Sequence, residues 1–206
     1  MNAGRLITFE GTDGCGKTTQ ARILAKSLTS KGLDVVLTRE PGGSPGAEEI
    51  RQLLVEGSPE RWSAETEILL FTAARRDHLE RTIRPALERG ATVISDRFAD
   101  STRVYQGASR PELRALVDQL HDAMIGKEPD LTFIIDMDPA EALKRGLDRN
   151  SGERRFERMG QGFQDRVRTG FRALASDNPD RCQLIDGHRD VDAIARDVSR
   201  IADPRQ

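Results

Sequence analysis

The feature that most limits what this chain can become is the run Gly11-Thr12-Asp13-Gly14-Cys15-Gly16-Lys17-Thr18, set between the apolar stretch Leu6 to Phe9 and a segment with helical spacing. Glycines in such a loop let consecutive backbone N–H groups turn inward around phosphate oxygens, and the helix that follows adds the partial positive charge of its N-terminus. In the pattern G-x-x-x-x-G-K-T the lysine reaches the terminal phosphates of a nucleoside triphosphate and the threonine hydroxyl serves Mg²⁺. The strand before it and the helix after it distinguish this loop from an ordinary glycine-rich turn. Residues Gly11, Thr12, Asp13, Gly14, Cys15, Gly16, Lys17, Thr18 and Thr19 are therefore the predicted triphosphate cradle, with Lys17 catalytic and Thr18 on the metal. Asp13 is the oddity, an acid inside a loop built for anions.

A strand, a cradle and a helix imply a parallel sheet, and the rest of the chain agrees. Short apolar runs at Arg5 to Glu10, Asp34 to Glu40, Thr92 to Arg97, Leu131 to Met137 and Cys182 to Asp186 read as strands. Helical patterns lie between them: Ala21, Leu24, Ala25 and Leu28 recur on one face, and Gly32 stands where a C-terminal cap belongs. Ser109-Arg110-Pro111-Glu112 and Asp138-Pro139-Ala140-Glu141 both read as helix starts, each with a capping side chain, Pro at the first helical position and Glu at the third. Alternating strands and helices predict right-handed crossovers and a sheet covered on both faces. Ligands then belong at the C-terminal ends of the strands. The polar, glycine-rich stretches 11–18, 40–46, 96–102 and 147–155 are placed at those ends.

At 206 residues the chain suits a single domain able to bury its own core. Its hydrophobic runs stay well short of the ~20 residues of a membrane span, and its start shows no signal pattern, so the expected compartment is the cytoplasm. Two cysteines, Cys15 and Cys182, make no disulfide framework. A formal net charge of −2 offers no basic field for a nucleic-acid polymer.

Several nucleotide-binding classes recede on motif grounds. A guanine-reading N-K-x-D is absent, and D-x-x-G occurs only inside the loop itself, at Asp13 to Gly16. The apolar run that should end in a metal-binding acid is Val93-Ile94-Ser95-Asp96, and Arg97 follows it at once. An arginine there indicates a second anion. Phosphoryl transfer between two bound anions depends on holding both in line and neutralising spreading charge. Arg51, Arg75 and Arg97, all near predicted strand ends, are the candidate cations for the acceptor. Lys144, Arg145, Arg149, Arg154, Arg155 and Arg158, set against Asp148, Glu153 and Glu157 and broken by Asn150-Ser151-Gly152, read as a flap able to deliver an arginine to the transition state.

Taken together, FEGTDGCGKTTQ at the start, TREPGGSPGAEEIRQLL at 38–54, LLFTAARRDHL at 69–79, VISDRFADSTRVYQG at 93–107, PDLTFIIDMDP at 129–139 and RRFE at 154–157 resemble the thymidylate kinase family nearly end to end. The resemblance implies a P-loop NTPase-type three-layer α/β sandwich, with a five-stranded parallel sheet flanked by helices. It would be nucleoside monophosphate kinase-like, one domain over residues 1–206 with a short lid at about 144–158. It implies transfer of the γ-phosphate of ATP to dTMP with Mg²⁺ as cofactor, direct and in line, by a homodimer. Ile68, Leu69 and Leu70 within Glu65 to Leu79 supply enough apolar surface for more than one helix face.

The same resemblance implies roles at matching positions. Phe71 would stack on thymine, Arg75 would donate to a base carbonyl, and Thr102 and Gln106 would face the base edge. Tyr105 would pack where a 2′-hydroxyl would crowd it. Arg51 and Arg97 would hold the monophosphate in a pocket shaped by Glu40 and Pro41, and Asp96 would join Thr18 at the metal. Some members of the family keep the catalytic arginine in the cradle and others in the lid. Here the cradle has none, which assigns it to Arg155, with Arg149 and Arg154 in support and Arg145 against adenine. Asp13 would lie between the two substrates, at the deoxyribose 3′-hydroxyl or a metal-bound water. Arg103 has no role to carry over. Another nucleotide or deoxynucleoside kinase, and a non-catalytic nucleotide-binding protein, remain the alternatives at this point.

Overall fold

A computed structural model describes residues 4–58, 61–147 and 160–203. Five parallel strands form one sheet in the order β2-β3-β1-β4-β5: β1 Arg5–Glu10, β2 Val35–Arg39, β3 Thr92–Asp96, β4 Leu131–Asp136 and β5 Cys182–Asp186. The strands stand where the apolar runs place them, trimmed by a residue or so. The three central strands are buried nearly throughout, whereas the edge strands β2 and β5 are more exposed.

Successive side chains point to opposite faces, and this divides the core. On one face Ile7, Phe9, Ile94, Phe133 and Ile135 pack against Leu24 and Leu28 of α1 (Lys17–Ser30) and Ile194 and Val198 of α9 (Val191–Ala202). Phe9 and Phe133 are register partners and stack with ring centroids 5.2 Å apart. On the other face Leu6 and Val93 meet Leu79, Ile83 and Ala86, from a π-helical turn (Leu79–Ile83) and α4 (Arg84–Glu88) that extend α3 (Ala64–His78). Beside them Ile134 packs with Val104 of α5 (Ala99–Ser109) and Phe163, Val167 and Phe171 of α8 (Gln161–Asp177).

Order reversal occurs at β1: the chain leaves it toward β2 and β3 on one side and later toward β4 and β5 on the other. The crevice above the C-terminal end of β1 is therefore where the fold opens. α2 (Pro45–Val55) follows the 40–44 turn on one side, and α7 (Pro139–Leu147) follows β4 on the other.

Two of the local readings need correcting. Ser109 does not start a helix; it is the last residue of α5, Arg110 is extended, and α6 (Leu113–Met124) begins only at Leu113 after a turn closed by Leu113 N to Arg110 O at 3.0 Å. The packed face of α5, with Val104, Tyr105 and Ala108, carries that helix through the presumed cap. The stretch from 147 starts at the end of α7, not at a strand end, and residues 148–159 lie outside the described residues. The Asp138 cap does form, its Oδ1 accepting from Ala140 N at 2.9 Å.

Candidate active site

The cradle is shaped by backbone that only glycine takes without strain. Gly11 has φ +137, and a Cβ there would stand 2.6 Å from the carbonyl oxygen of Ile135 and 2.9 Å from Cys15 Sγ. Gly16 caps α1 without a side chain, so the first amides of that helix remain for an anion. Lys17 is buried and its Nζ folds over the loop, donating to Thr12 O at 2.7 Å. Thr18 Oγ1 donates to Asp96 Oδ2, which joins the helix start to the end of β3. Among the described residues no three His, Cys, Asp or Glu side chains converge as a metal cage. One hydroxyl beside one carboxylate is instead the hard-oxygen pair that suits Mg²⁺ arriving on phosphates, with the rest of its shell from phosphate and water.

Directly beyond Asp96 stands Arg97, a non-glycine residue at φ +72. Such a conformation is costly for a side-chain-bearing residue and persists when its surroundings determine it. Ser95 Oγ donates to Arg97 O at 2.8 Å, and Arg97 N donates to Phe9 O at 2.9 Å. The turn aims the guanidinium back across the crevice. Its Nη1 donates to Gly11 O at 3.1 Å and Ser101 Oγ at 2.8 Å, and its Nη2 to Asp13 Oδ1 and, at 3.3 Å, to the Tyr105 hydroxyl. Asp13 is thus the carboxylate partner of Arg97, and Tyr105 donates to its other oxygen at 3.4 Å. Burial works against its charge, but Arg97 and Lys17 outweigh that and hold its pKa below the usual value. Burial likewise pushes the Tyr105 phenol well above its ordinary range, so it stays a neutral donor.

From this node an open cleft runs between α3 and α5. Asp13, Glu40, Pro41, Phe71, Arg75 and Arg97 line it, joined by Ser101, Thr102, Tyr105 and Gln106 from α5. Arg75 is only 4% exposed; its Nε donates to Glu40 Oε2 at 2.7 Å, its Nη2 to Thr102 Oγ1 at 3.0 Å, and its guanidinium lies 5.3 Å from the centre of the Phe98 ring. The peptide bond between Glu40 and Pro41 is cis. Gln106 Nε2 donates to Glu67 Oε2 at 3.0 Å, which anchors the amide at the cleft wall.

Arg51 sits behind the 40–44 turn on α2, its Nη1 donating to Pro41 O; burial, then the neighbouring Arg39, lowers its pKa, an arrangement that favours an added anion. Arg145 falls within α7, and Arg149, Arg154 and Arg155 lie outside the described residues. Every other predicted contact converges on the cradle or the cleft.

Three residues without a role in the sequence reading turn out to organise the site. Arg103, 5% exposed, donates to Asp100 at 2.9 Å, Asp118 at 2.8 Å and Glu128 at 3.0 Å, tying α5 to α6 and to the approach to β4. Glu10, fully buried at the end of β1, accepts from Phe98 N at 2.8 Å and Ser101 Oγ at 2.5 Å, so it holds the start of α5 and the hydroxyl that Arg97 touches. Burial and then the nearby Asp100 push its pKa up to about 7. His78 is fully buried against Glu40. Apart from the Asp100–Arg103 pair, three residues apart on α5, their partners are distant in sequence.

The thymidylate kinase family profile matches residues 9–198. The thymidylate kinase of Dinoroseobacter shibae is 69% identical over 195 residues, 95% of this chain and 94% of that protein. The thymidylate kinase of Ruegeria pomeroyi is 64% identical over 198 residues, 96% of this chain and 94% of that protein. Among solved structures, thymidylate kinase from Ehrlichia chaffeensis superposes with a TM-score of 0.79 at 37% identity, covering 97% of this chain and 98% of that one.

Proposed function

The chain belongs to the thymidylate kinase family and is a phosphotransferase that converts dTMP to its diphosphate with ATP, and we propose that it does so by direct in-line transfer across the Asp13–Arg97 node. The observation that carries this reading is the continuity of cradle and cleft: Arg97 touches Gly11 O on the triphosphate side and Tyr105 on the acceptor side. Arg97 directly follows Asp96, the partner of the Thr18 hydroxyl.

In this arrangement Phe71 stacks on the thymine ring, Arg75 donates to a base carbonyl, and Thr102 and Gln106 border the base edge. Tyr105, fixed by Arg97 and Asp13, occupies the space beside the sugar. Arg51 and Arg97 hold the monophosphate in the pocket formed by Glu40 and Pro41. The phosphate oxygen is already anionic, so no general base is required. Lys17 and Arg155, with Arg149 and Arg154 in support, neutralise the transferring group, and Arg145 lies against adenine. Thr18 and Asp96 would hold Mg²⁺, which when bound would neutralise charge on the ATP phosphates. Asp13 orients Arg97 and faces the 3′-hydroxyl.

The chain acts as a homodimer in the cytoplasm. Leu69 on α3 is 57% exposed, and Met124 at the end of α6 is 47% exposed; Arg76 bridges the two helices by donating to Met124 O at 2.6 Å. Exposed apolar side chains on two joined helices are compatible with an isologous contact. Two buried free thiols, Cys15 and Cys182, fit a reducing compartment.

Stereochemistry at phosphorus tests the transfer. With ATP chirally labelled at the γ-phosphorus, single in-line displacement inverts configuration; retention would establish a covalent intermediate and overturn the reading.

A further inference from the structure

His78 ends α3 with no exposed surface, and both ring nitrogens are engaged: Nδ1 lies 3.0 Å from Glu40 Oε1 and Nε2 lies 2.7 Å from Thr38 Oγ1. Space for the ring is built into the neighbouring turn. A Cβ on Gly43 would stand 2.4 Å from His78 Nε2 and 2.4 Å from Thr38 Oγ1, so that position accepts no side chain without displacing the imidazole. Thr82 Oγ1 donates to Gly43 O at 2.7 Å and clamps the turn from the other side, out of the π-helical segment that follows His78 directly.

We propose that His78 is a positioning residue for acceptor recognition: through the Glu40 carboxylate it fixes the guanidinium of Arg75. The proposal rests on the reading above in which Arg75 meets the base. Glu40 Oε2 accepts from Arg75 Nε at 2.7 Å, and its Oε1 faces His78. With one oxygen held by Arg75 alone, the carboxylate could rotate about its last bond and the guanidinium would follow it. An imidazole on the second oxygen stops that rotation and satisfies the lone pairs that a buried ion pair must not leave bare. Arg75 then presents its remaining N–H groups in one direction, between Thr102 and the Phe98 ring. Because Glu40 is the acceptor of a guanidinium, Nδ1 of His78 carries the proton toward it, and Nε2 faces the Thr38 hydroxyl. The relay Thr38–His78–Glu40–Arg75 thus links β2, α3 and the cleft.

The test uses the full-length enzyme and its dTMP kinetics. His78→Leu keeps bulk but removes the donor and is expected to raise KM for dTMP by about tenfold while kcat stays within about threefold. His78→Asn restores a donor near the Nδ1 position and should recover most of that loss, which a purely structural role would not predict. Arg75→Met serves as the control. If His78 acts through Arg75, the double variant has the KM of Arg75→Met and no more. Should Arg75→Met raise KM while His78→Leu leaves it unchanged, the positioning role is overturned and the Arg75 reading stands. Should Arg75→Met itself leave KM unchanged, the Arg75 reading falls and takes the proposal with it. The wild-type protein offers a measurement independent of variant folding: ¹⁵N-histidine NMR is expected to show the proton on Nδ1 of His78, and a bare Nδ1 overturns the proposal.

Discussion

Replacing Glu10 by Gln isolates one titration in the folded protein. Glu10 is fully buried, its two oxygens accept from Phe98 N and Ser101 Oγ, and its carboxyl ionises at about 7 instead of the ordinary 4.5. The folded pKa is raised, so the native state binds the proton more tightly than the unfolded chain. Its stabilisation is fully present below pH 4.5 and is lost as pH rises through 7. At about 1.4 kcal/mol for each tenfold difference in proton affinity, the whole effect is about 3 kcal/mol, most of it lost between pH 5 and 8. Carboxylates with lowered values, such as Asp13 and Asp136, lose their contribution only below that window, so they do not obscure it. Urea unfolding at pH 5, 6, 7 and 8 reads the slope, and subtracting Glu10→Gln removes any histidine titration common to both. Wild type is expected to lose about 2 to 3 kcal/mol relative to the variant across this range. Parallel pH profiles for the two proteins would refute the assignment of a protonated, buried Glu10.

Three further outcomes follow from other parts of the site. Arg155→Ala should lower kcat by about 10³-fold with little change in KM for dTMP; a near-normal kcat in steady-state assays would move the role to Arg149 or Arg154. Arg103→Ala leaves Asp100 with Arg181 as its partner at 2.7 Å, and the Asp118 and Glu128 side chains are part-exposed, so thermal unfolding should show a loss of about 2 to 3 kcal/mol, below the roughly 3 to 5 kcal/mol of a wholly buried orphaned charge. Gly43→Ala places a side chain at φ +87 and against His78, and should both lower Tm and raise KM for dTMP; left-handed strain alone costs about 1 to 2 kcal/mol.

The cradle and sheet were legible because their signals are local. Gly11 to Thr18 bends the backbone by its own glycines, and the central strands show as mostly apolar runs since both faces are covered. The misplaced start of α6 shows the limit of local reading: a good cap sequence at Ser109 yields to the packing that carries α5 through it. The acceptor-side residues Glu40, Pro41, Phe71, Arg75, Arg97, Thr102, Tyr105 and Gln106 line one cleft, but what holds them was not readable. Glu10 meets Phe98 from 88 residues away, His78 meets Thr38 from 40 away, and Arg103 gathers acids from three segments. A buried acid in an apolar strand looks the same in sequence whether it caps a helix or is an error of pattern. Asp13 shows this most plainly, since only the left-handed turn at Arg97 brings its partner back over the loop.

The proposed function depends on the cleft beside the cradle selecting a thymine-bearing monophosphate. ADP release with MgATP, compared across dTMP, dUMP, UMP, AMP and thymidine at equal concentration, tests it most directly. The strongest turnover is expected with dTMP, with UMP poor because of Tyr105 and thymidine inert because Arg97 has no phosphate to hold. Strongest turnover with any base other than thymine, or with thymidine itself, would contradict the assignment.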